Sequence, residues 1–243
     1  MRVAAIYNVF DGTELLRHSM NSIERIVDEY IIVWQDVSNF GENYNGLLQH
    51  PLLFDSKKIH LVYYSPDLTV NGTENEKRKR QSGINKAKEL GASHFLNVDC
   101  DEFYKEPYKA WKQYLESGKE GSVCKIFTYF KKPTWRFETE DGYYVPFMHK
   151  LNQNTTVGGA GYPFYVDPTR SVNTQDVALL DTYMHHFSWV RDDIERKCRN
   201  SSAKYNLERG TMLQSYYDPA CGPGYYVKDY DKKLIEVENI FNL

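Results

Sequence analysis

Short apolar runs, separated by helical patterns, constrain the fold of this chain most strongly. Arg2–Phe10 is almost continuously apolar, and Tyr30–Trp34, Lys58–Tyr64 and His94–Val98 follow as further strand candidates. Apolar runs of this length are typical of strands buried on both faces of a parallel sheet. Parallel neighbours need helical crossovers, so the order predicts an α/β fold with ligands at the carboxyl ends of the strands.

Helical patterns fill the segments between these strands. Asp11-Gly12-Thr13 predicts a turn before a first helix, and Thr73-x-x-Glu76 predicts a capping box that opens a second. Gly91 is expected to end the second helix, and Pro107 to begin a third. The face of the third helix expected to pack inward comprises Tyr108, Trp111 and Leu115.

After about residue 120 the pattern changes to that of an antiparallel or mixed region. Ser122–Phe130, Tyr143–Leu151 and Tyr162–Val166 are predicted strands, and the glycine-rich residues 158–161 are predicted to be flexible. We expect a single domain over residues 1–243. Its nucleotide-binding half would span about 1–105, and its acceptor-binding half about 106–243.

Composition excludes several classes of protein. The 243 residues are 41% hydrophobic, enough for a sizeable core, and the net charge of −3 offers no general attraction to nucleic acid. The four cysteines show no zinc-ligand spacing. The apolar run after Met1 is too short for a signal peptide or a transmembrane segment, so we expect a cytoplasmic protein.

Three carboxylates follow the His94–Val98 run, in Asp99-Cys100-Asp101-Glu102. Acidic groups this close repel one another unless a cation or basic side chains neutralise them. Magnesium and manganese prefer carboxylate oxygens and keep positions open for phosphate oxygens. The cluster therefore predicts a metal site with Asp101 as the leading ligand, Asp99 facing the metal or the donor, and Glu102 behind them. A solvated acidic turn is the alternative.

A basic run, Lys77–Arg80, lies in the second predicted helix. Arg80 shares a helical face with Ile84, which must pack on the sheet, so Arg80 is expected to point toward the ligand edge. There it would meet a diphosphate or the Asp99 carboxylate. Lys77 lies one turn earlier on the same side. The other two members of the run, Arg78 and Lys79, are expected to be solvated.

The segment from Lys79 to Phe103, KRQSGINKAKELGASHFLNVDCDEF, resembles family 2-type glycosyltransferases of the GT-A fold. The shared pattern is an Arg, a small polar helix, Ala-x-x-x-Gly, an apolar strand and D-x-D, and the resemblance covers about the first 105 residues. It implies a Rossmann-like nucleotide half with a mixed central sheet, continuous with a C-terminal acceptor half. It also implies transfer of a sugar from a nucleotide donor to an acceptor hydroxyl, with Mn²⁺ or Mg²⁺ held by Asp99 and Asp101.

The resemblance assigns further residues to the donor. The family contacts the nucleoside from the loop after the first strand and from an Asp after the second, which correspond here to Asn8, Phe10 and Asp36. A carboxylate such as Asp36 can accept the N3–H of uracil, which favours a UDP-sugar. A turn-forming role for Asp36 is the alternative.

A histidine from the C-terminal half often completes the metal site of such enzymes, and His185-His186 is the candidate here. In an extended segment His185 would share a face with Phe187 and Trp189, so alternation favours His186 as the ligand. His185 is then a possible substrate contact. Arg191, or Lys197 on the following helix, is expected to clamp the diphosphate.

The catalytic base is the least constrained assignment. An inverting transferase needs a carboxylate to deprotonate the acceptor hydroxyl, whereas a retaining one does not. Asp167, at the end of a predicted strand with Arg170 nearby, is favoured, and Asp181 and Asp176 are alternatives.

Two other functions fit parts of the pattern. A sugar-phosphate nucleotidyltransferase also uses carboxylates and a metal, but its usual glycine-rich loop after the first strand is reduced here to Gly12. A non-catalytic carbohydrate-binding protein would explain the 20 tyrosines, but not the three carboxylates. The expected partners are therefore a nucleotide-sugar donor and a glycan or similar acceptor.

Overall fold

A computed structural model describes residues 1–44, 46, 58–159, 161–201 and 212–243. Its helices are α1 (Thr13–Ile23), α2 (Gly72–Glu89), α3 (Pro107–Ser117), α4 (Ile194–Asn200) and α5 (Met212–Tyr217). The strands up to residue 104 are β1 (Val3–Val9), β2 (Glu29–Trp34), β3 (Ile59–Tyr63), β4 (His94–Val98) and β5 (Glu102–Tyr104). Those that follow are β6 (Gly121–Phe130), β7 (Trp135–Phe137), β8 (Val145–Lys150), β9 (Val177–Trp189), β10 (Tyr226–Val227) and β11 (Lys232–Glu236).

These strands form one mixed sheet across the described residues, in the order β10-β11-β7-β6-β8-β4-β1-β2-β3. The strands β3, β2, β1 and β4 are parallel neighbours, and β8 pairs antiparallel with β4. The long strand β9 pairs parallel with β6 and antiparallel with β5. The predicted fold, a Rossmann-like half with a mixed sheet continuous into a C-terminal half, is confirmed.

Helices cover both faces of the parallel strands, as their continuous apolar sequences require. Helix α2 packs Ile84 and Ala87 on one face, in a cluster that includes Ile6 of β1. Helices α1 and α3 pack Leu16 and Tyr114 on the other face. With both faces covered, the carboxyl ends of β1, β2 and β4 are the part of this sheet left for a ligand.

Two helix predictions are corrected by the structure. Helix α2 begins before Thr73, because the side chain of Asn71 accepts the backbone N–H of Glu74 at 2.8 Å and caps the helix. Helix α3 buries Pro107, Ala110 and Tyr114, while the predicted inward residues Tyr108 and Leu115 are exposed. Trp111, the third residue of the predicted face, is partly buried and packs against the same core as Ala110 and Tyr114.

The predicted strand at Tyr162–Val166 is wrong, since only an isolated bridge joins Val166 to Tyr144. Pro163 lies inside the segment and removes a ladder donor, which explains the loss of pairing. Ala160, part of the segment predicted to be flexible, lies outside the described residues. None of the helices in the described parts of the chain is long and apolar enough to cross a membrane.

Candidate active site

A cavity of about 320 Å³ opens at the carboxyl ends of β1, β2 and β4. Its walls come from both halves of the chain. Residues from the first half include Asn8, Phe10, Gln35, Glu76, Lys79, Asp99, Asp101 and Glu102. Those from the second half include Tyr143, Tyr144, Asp167, Arg170, His186, Arg191, Lys197 and Tyr230. The cavity is therefore where the predicted donor and acceptor halves meet.

Asp99 and Glu102 are held by two buried arginines. Arg80, 1% exposed, donates from Nη2 to both Asp99 oxygens at 3.0 and 3.1 Å and to Glu76 at 2.8 Å. Arg170 donates to both Glu102 oxygens, one at 2.7 Å, and lies 3.6 Å from Asp99. Burial raises the pKa of Asp99, but the two guanidiniums outweigh it and lower the pKa overall. Arg80 thus points to the ligand edge of the sheet and meets the Asp99 carboxylate, as predicted. Arg170, which the sequence showed only as a neighbour of Asp167, also belongs to the site.

Asp101 is 2% exposed and lies among basic groups from the second half. Its Oδ2 accepts from Arg191 and from Lys197 Nζ at 3.3 Å, and His186 Nε2 lies 3.7 Å away. Burial raises the pKa of Asp101, but these neighbours hold it well below its usual range. Asp101 is therefore a buried anion that fixes three basic side chains at the cavity wall.

Lys79, predicted to be solvated, is instead 3% exposed and lines the cavity. Its Nζ donates to the carbonyl of Val9 at 2.6 Å, at the end of β1. Burial lowers the pKa of Lys79 to about 7 against the opposing effect of nearby anionic groups. Lys79 is thus a further basic group of the site, with a pKa lowered toward the physiological range.

Gly12, before α1, makes room for Arg191. Its φ is +73°, and a Cβ at this position would overlap the Arg191 guanidinium. The side chain of Arg191 is 5% exposed, and its Nε and Nη1 have no hydrogen-bond partner in the described chain. Buried donors without acceptors are costly, so the site presents unused hydrogen-bonding capacity at this guanidinium.

The end of the cavity at β1 and β2 combines an aromatic ring with buried amide oxygens. Phe10 contacts Tyr44 edge to face, with the ring centroids 5.7 Å apart. Asn8 Oδ1 and Gln35 Oε1 are buried without a partner among the described residues, and both side chains line the cavity. Asn8 and Phe10 thus lie where they were predicted, and Gln35 was missed.

Asp36 is not among the cavity-lining residues. It accepts the hydroxyl of Tyr63 at 2.9 Å near the edge strand β3. The carboxylate therefore points sideways along the sheet, whereas the adjacent Gln35 points into the cavity.

The two histidines point to opposite faces, as strand alternation predicts. His186 lines the cavity beside Asp101. The Nδ1 of His185 is hydrogen-bonded to the hydroxyl of Tyr129 at 2.9 Å, and its ring packs on Phe241. Burial lowers the pKa of His185 to about 4. The alternative role of His185 as a substrate contact is not supported by this position.

Of the carboxylates considered for proton transfer, only Asp167 lines the cavity. Its Oδ1 accepts from the backbone N–H and hydroxyl of Thr169, both at 2.8 Å. Asp181 is exposed on β9 and lies near Gln113, and Asp176 pairs with Lys119. Lys77 is likewise absent from the cavity wall, with its side chain beside Gly158.

The described residues do not offer a ready carboxylate site for a divalent ion. They contain no group of three or more His, Cys, Asp or Glu side chains that could hold one. Asp101 and His186 are near each other, but Arg191 and Lys197 already contact the same Asp101 oxygen. The Asp99 oxygens face Arg80. In this arrangement the side chains of Asp99, Asp101 and His186 do not fit the predicted Mn²⁺ or Mg²⁺ ion. The ion stays a prediction.

Fold and site together define an α/β protein with a cavity at its sheet edge that is lined by charged and aromatic side chains. No protein-family model matches this chain, and no curated protein matches it. Among solved structures it is similar to S. aureus TarS 1–349, at 13% identity and a TM-score of 0.48, over 90% of this chain and 76% of that one.

Two further similarities are more partial. TarS 1–349 in complex with UDP-GlcNAc matches at 15% identity and a TM-score of 0.40, over 53% of this chain and 35% of that one. Mannose-1-phosphate geranyltransferase from Thermus thermophilus matches at 14% identity and a TM-score of 0.35, over 63% of this chain and 51% of that one. At such identities the similarity concerns the fold.

Proposed function

We propose that this protein is a glycosyltransferase that moves a sugar from a nucleotide donor to an acceptor hydroxyl on a glycan or similar molecule. The observation that carries the proposal is the cavity itself. It combines a basic wall, with Arg191 and Lys197 around the buried Asp101, with the ring of Phe10 and with three tyrosines of the second half. A nucleoside diphosphate sugar has parts that match these groups: two phosphates, a base and a sugar.

The donor base would occupy the end of the cavity at Asn8, Phe10 and Gln35. Phe10 supplies a ring face, and the unpartnered oxygens of Asn8 and Gln35 can accept N–H groups. Uracil has one such group at N3, so a UDP-sugar is the favoured donor. The amide oxygens of Asn8 and Gln35 would then accept the N3–H of uracil, the role that the sequence suggested for the Asp36 carboxylate.

The acceptor would enter from the side of Tyr143, Tyr144 and Tyr230, which line the cavity in the second half. Tyrosine rings pack on the C–H faces of sugars, and their hydroxyls reach sugar oxygens. Asp167 lies in the same wall and is the proposed base of an inverting transfer. The resemblance also implies a Mn²⁺ or Mg²⁺ ion, a prediction that the present donor set does not support.

A donor screen that measures released nucleoside diphosphate tests this proposal. We expect turnover with a UDP-sugar and a hydroxyl acceptor. Asp167→Asn should lower kcat by about 10²- to 10⁴-fold, the usual contribution of general-base catalysis. The same change at the exposed Asp181 is the matched control and should leave kcat unchanged.

Three results would contradict the proposal or part of it. The absence of turnover with every nucleotide sugar, together with tight binding of a free glycan, would favour a carbohydrate-binding protein. Release of pyrophosphate from a nucleoside triphosphate and a sugar phosphate would favour a nucleotidyltransferase. Full activity of Asp167→Asn would remove Asp167 as the base and leave the class of reaction standing.

A further inference from the structure

Asp101 gathers positive charge at one point of the cavity. Arg191 and Lys197 both contact its Oδ2, and His186 lies 3.7 Å from the same atom. Each of the two cations carries a full charge, so one carboxylate cannot neutralise both. Arg191 and Lys197 both line the cavity, where the Asp11 carboxylate also acts on Arg191, so the wall carries charges of both signs.

Some N–H donors of the Arg191 guanidinium make no hydrogen bond within the described residues. One arm contacts Asp101, while Nε and Nη1 have no partner within the described part of the chain, although the side chain is only 5% exposed. Guanidinium groups bind phosphate oxygens in a forked geometry with paired hydrogen bonds. Nη1 packs against Gly12, and donors of this kind are those that a phosphate oxygen would satisfy.

A divalent ion at Asp101 would compete with these cations. It would need the oxygen that Arg191 and Lys197 already contact. Asp99 offers no easier position, because its oxygens lie 3.0 and 3.1 Å from the buried Arg80. The carboxylate oxygens that a divalent ion would need are thus already engaged by cationic side chains, which the ion would have to displace.

We propose that Arg191 and Lys197, positioned by Asp101, bind the donor diphosphate and neutralise the leaving group without a divalent ion. The inference rests on the proposed function. In the transfer, the bond from the anomeric carbon to the diphosphate oxygen breaks, and its electron pair leaves with the nucleoside diphosphate. The acceptor oxygen forms the new bond to that carbon, and its proton passes to Asp167. The added negative charge of the leaving group then faces Arg191 and Lys197.

Calorimetric titration with UDP and with uridine, each in EDTA and in Mn²⁺, tests the inference. We expect the Kd of UDP to agree within about threefold between the two buffers. Lys197→Met should weaken UDP binding about 10- to 100-fold in EDTA, the usual effect of losing a charge-assisted contact, and should leave uridine binding unchanged. Lys86→Met, on the outer side of α2, is the matched control and should change neither.

The outcomes separate this inference from the function on which it rests. UDP binding that appears only with Mn²⁺, or UDP binding that is unaffected in Lys197→Met, would overturn the inference and leave a glycosyltransferase standing. Failure of UDP, GDP and every nucleotide sugar to bind in either buffer would overturn both. Because Lys197 is partly exposed, at 20%, the variant should fold, and its circular dichroism spectrum checks this.

Discussion

Among single residues, Lys79 has an unusual environment for a lysine, because its side chain is only 3% exposed. Burial lowers its pKa from 10.5 to about 7. Between these values the unfolded chain binds a proton that the folded chain does not, so the free energy of unfolding should rise with pH from about 7 to 9.5. Lys79→Met removes the titrating group. The unfolding free energy of Lys79→Met, measured by urea denaturation, should therefore exceed that of the wild type by the largest amount at pH 7. This excess should shrink as the pH rises toward 9.5.

The comparison with Lys79→Met is necessary because other groups also titrate. Buried tyrosines such as Tyr7 and Tyr30 have a raised pKa, and their contribution begins near pH 10, above this window. When the pH profile of the variant's unfolding free energy is subtracted from that of the wild type, the contributions of titrating groups that both proteins contain cancel. A difference that stays constant from pH 7 to 9.5 would contradict the lowered pKa of Lys79.

The same residue shows what the sequence could and could not provide at this scale. Arg80 was predicted correctly because Ile84 marks its helical face as apolar. Lys79 lies one turn before Gly83, and a glycine adds no apolar side chain to the pattern. The absence of that side chain brings α2 close to the sheet at Gly83 and buries Lys79. Polar pairings across the fold, such as Arg170 with Glu102, also leave no local signal.

At the scale of elements, the contact of α2 with β1 and β2 depends on Gly83. A Cβ there would overlap Ile6 of β1 and approach Val33 of β2 to 3.0 Å. Alanine is the better helix former by about 1 kcal/mol, but overpacking of a core costs about 1–3 kcal/mol. We expect Gly83→Ala to lower the unfolding free energy by about 1–2 kcal/mol in urea denaturation.

Asn85→Ala, at an exposed position of the same helix, is the control for helix propensity. It should be neutral or slightly stabilising. If Gly83→Ala were as stable as Asn85→Ala, the close approach of α2 to the sheet would be refuted.

Element positions were largely predictable and element faces less so. The buried strands β1, β2 and β4 lie where their apolar runs predict, because a strand covered on both faces leaves few alternatives. Helix α3 offers two possible apolar stripes, and only the tertiary contact selects the one with Ala110 and Tyr114.

For the whole molecule, the continuous sheet predicts cooperative unfolding. Strand β8 joins β4, and β9 joins both β5 and β6, so the two halves share backbone hydrogen bonds along their boundary. Separate unfolding of either half would expose unpaired strand edges. We expect a single thermal transition, with the same midpoint by far-ultraviolet circular dichroism and by tryptophan fluorescence. Two calorimetric peaks would show that the predicted single domain is divided.

The pairing of Gly12 with Arg191 links two positions that are distant in the chain. The guanidinium occupies the space that any side chain at position 12 would need. Substitution of Gly12 by a larger residue would thus displace the Arg191 side chain, and the effect would resemble substitution of Arg191 itself. Among chains that share this cavity, a larger residue at position 12 should occur only together with a smaller one at position 191. Positions 12 and 191 should therefore covary among such chains.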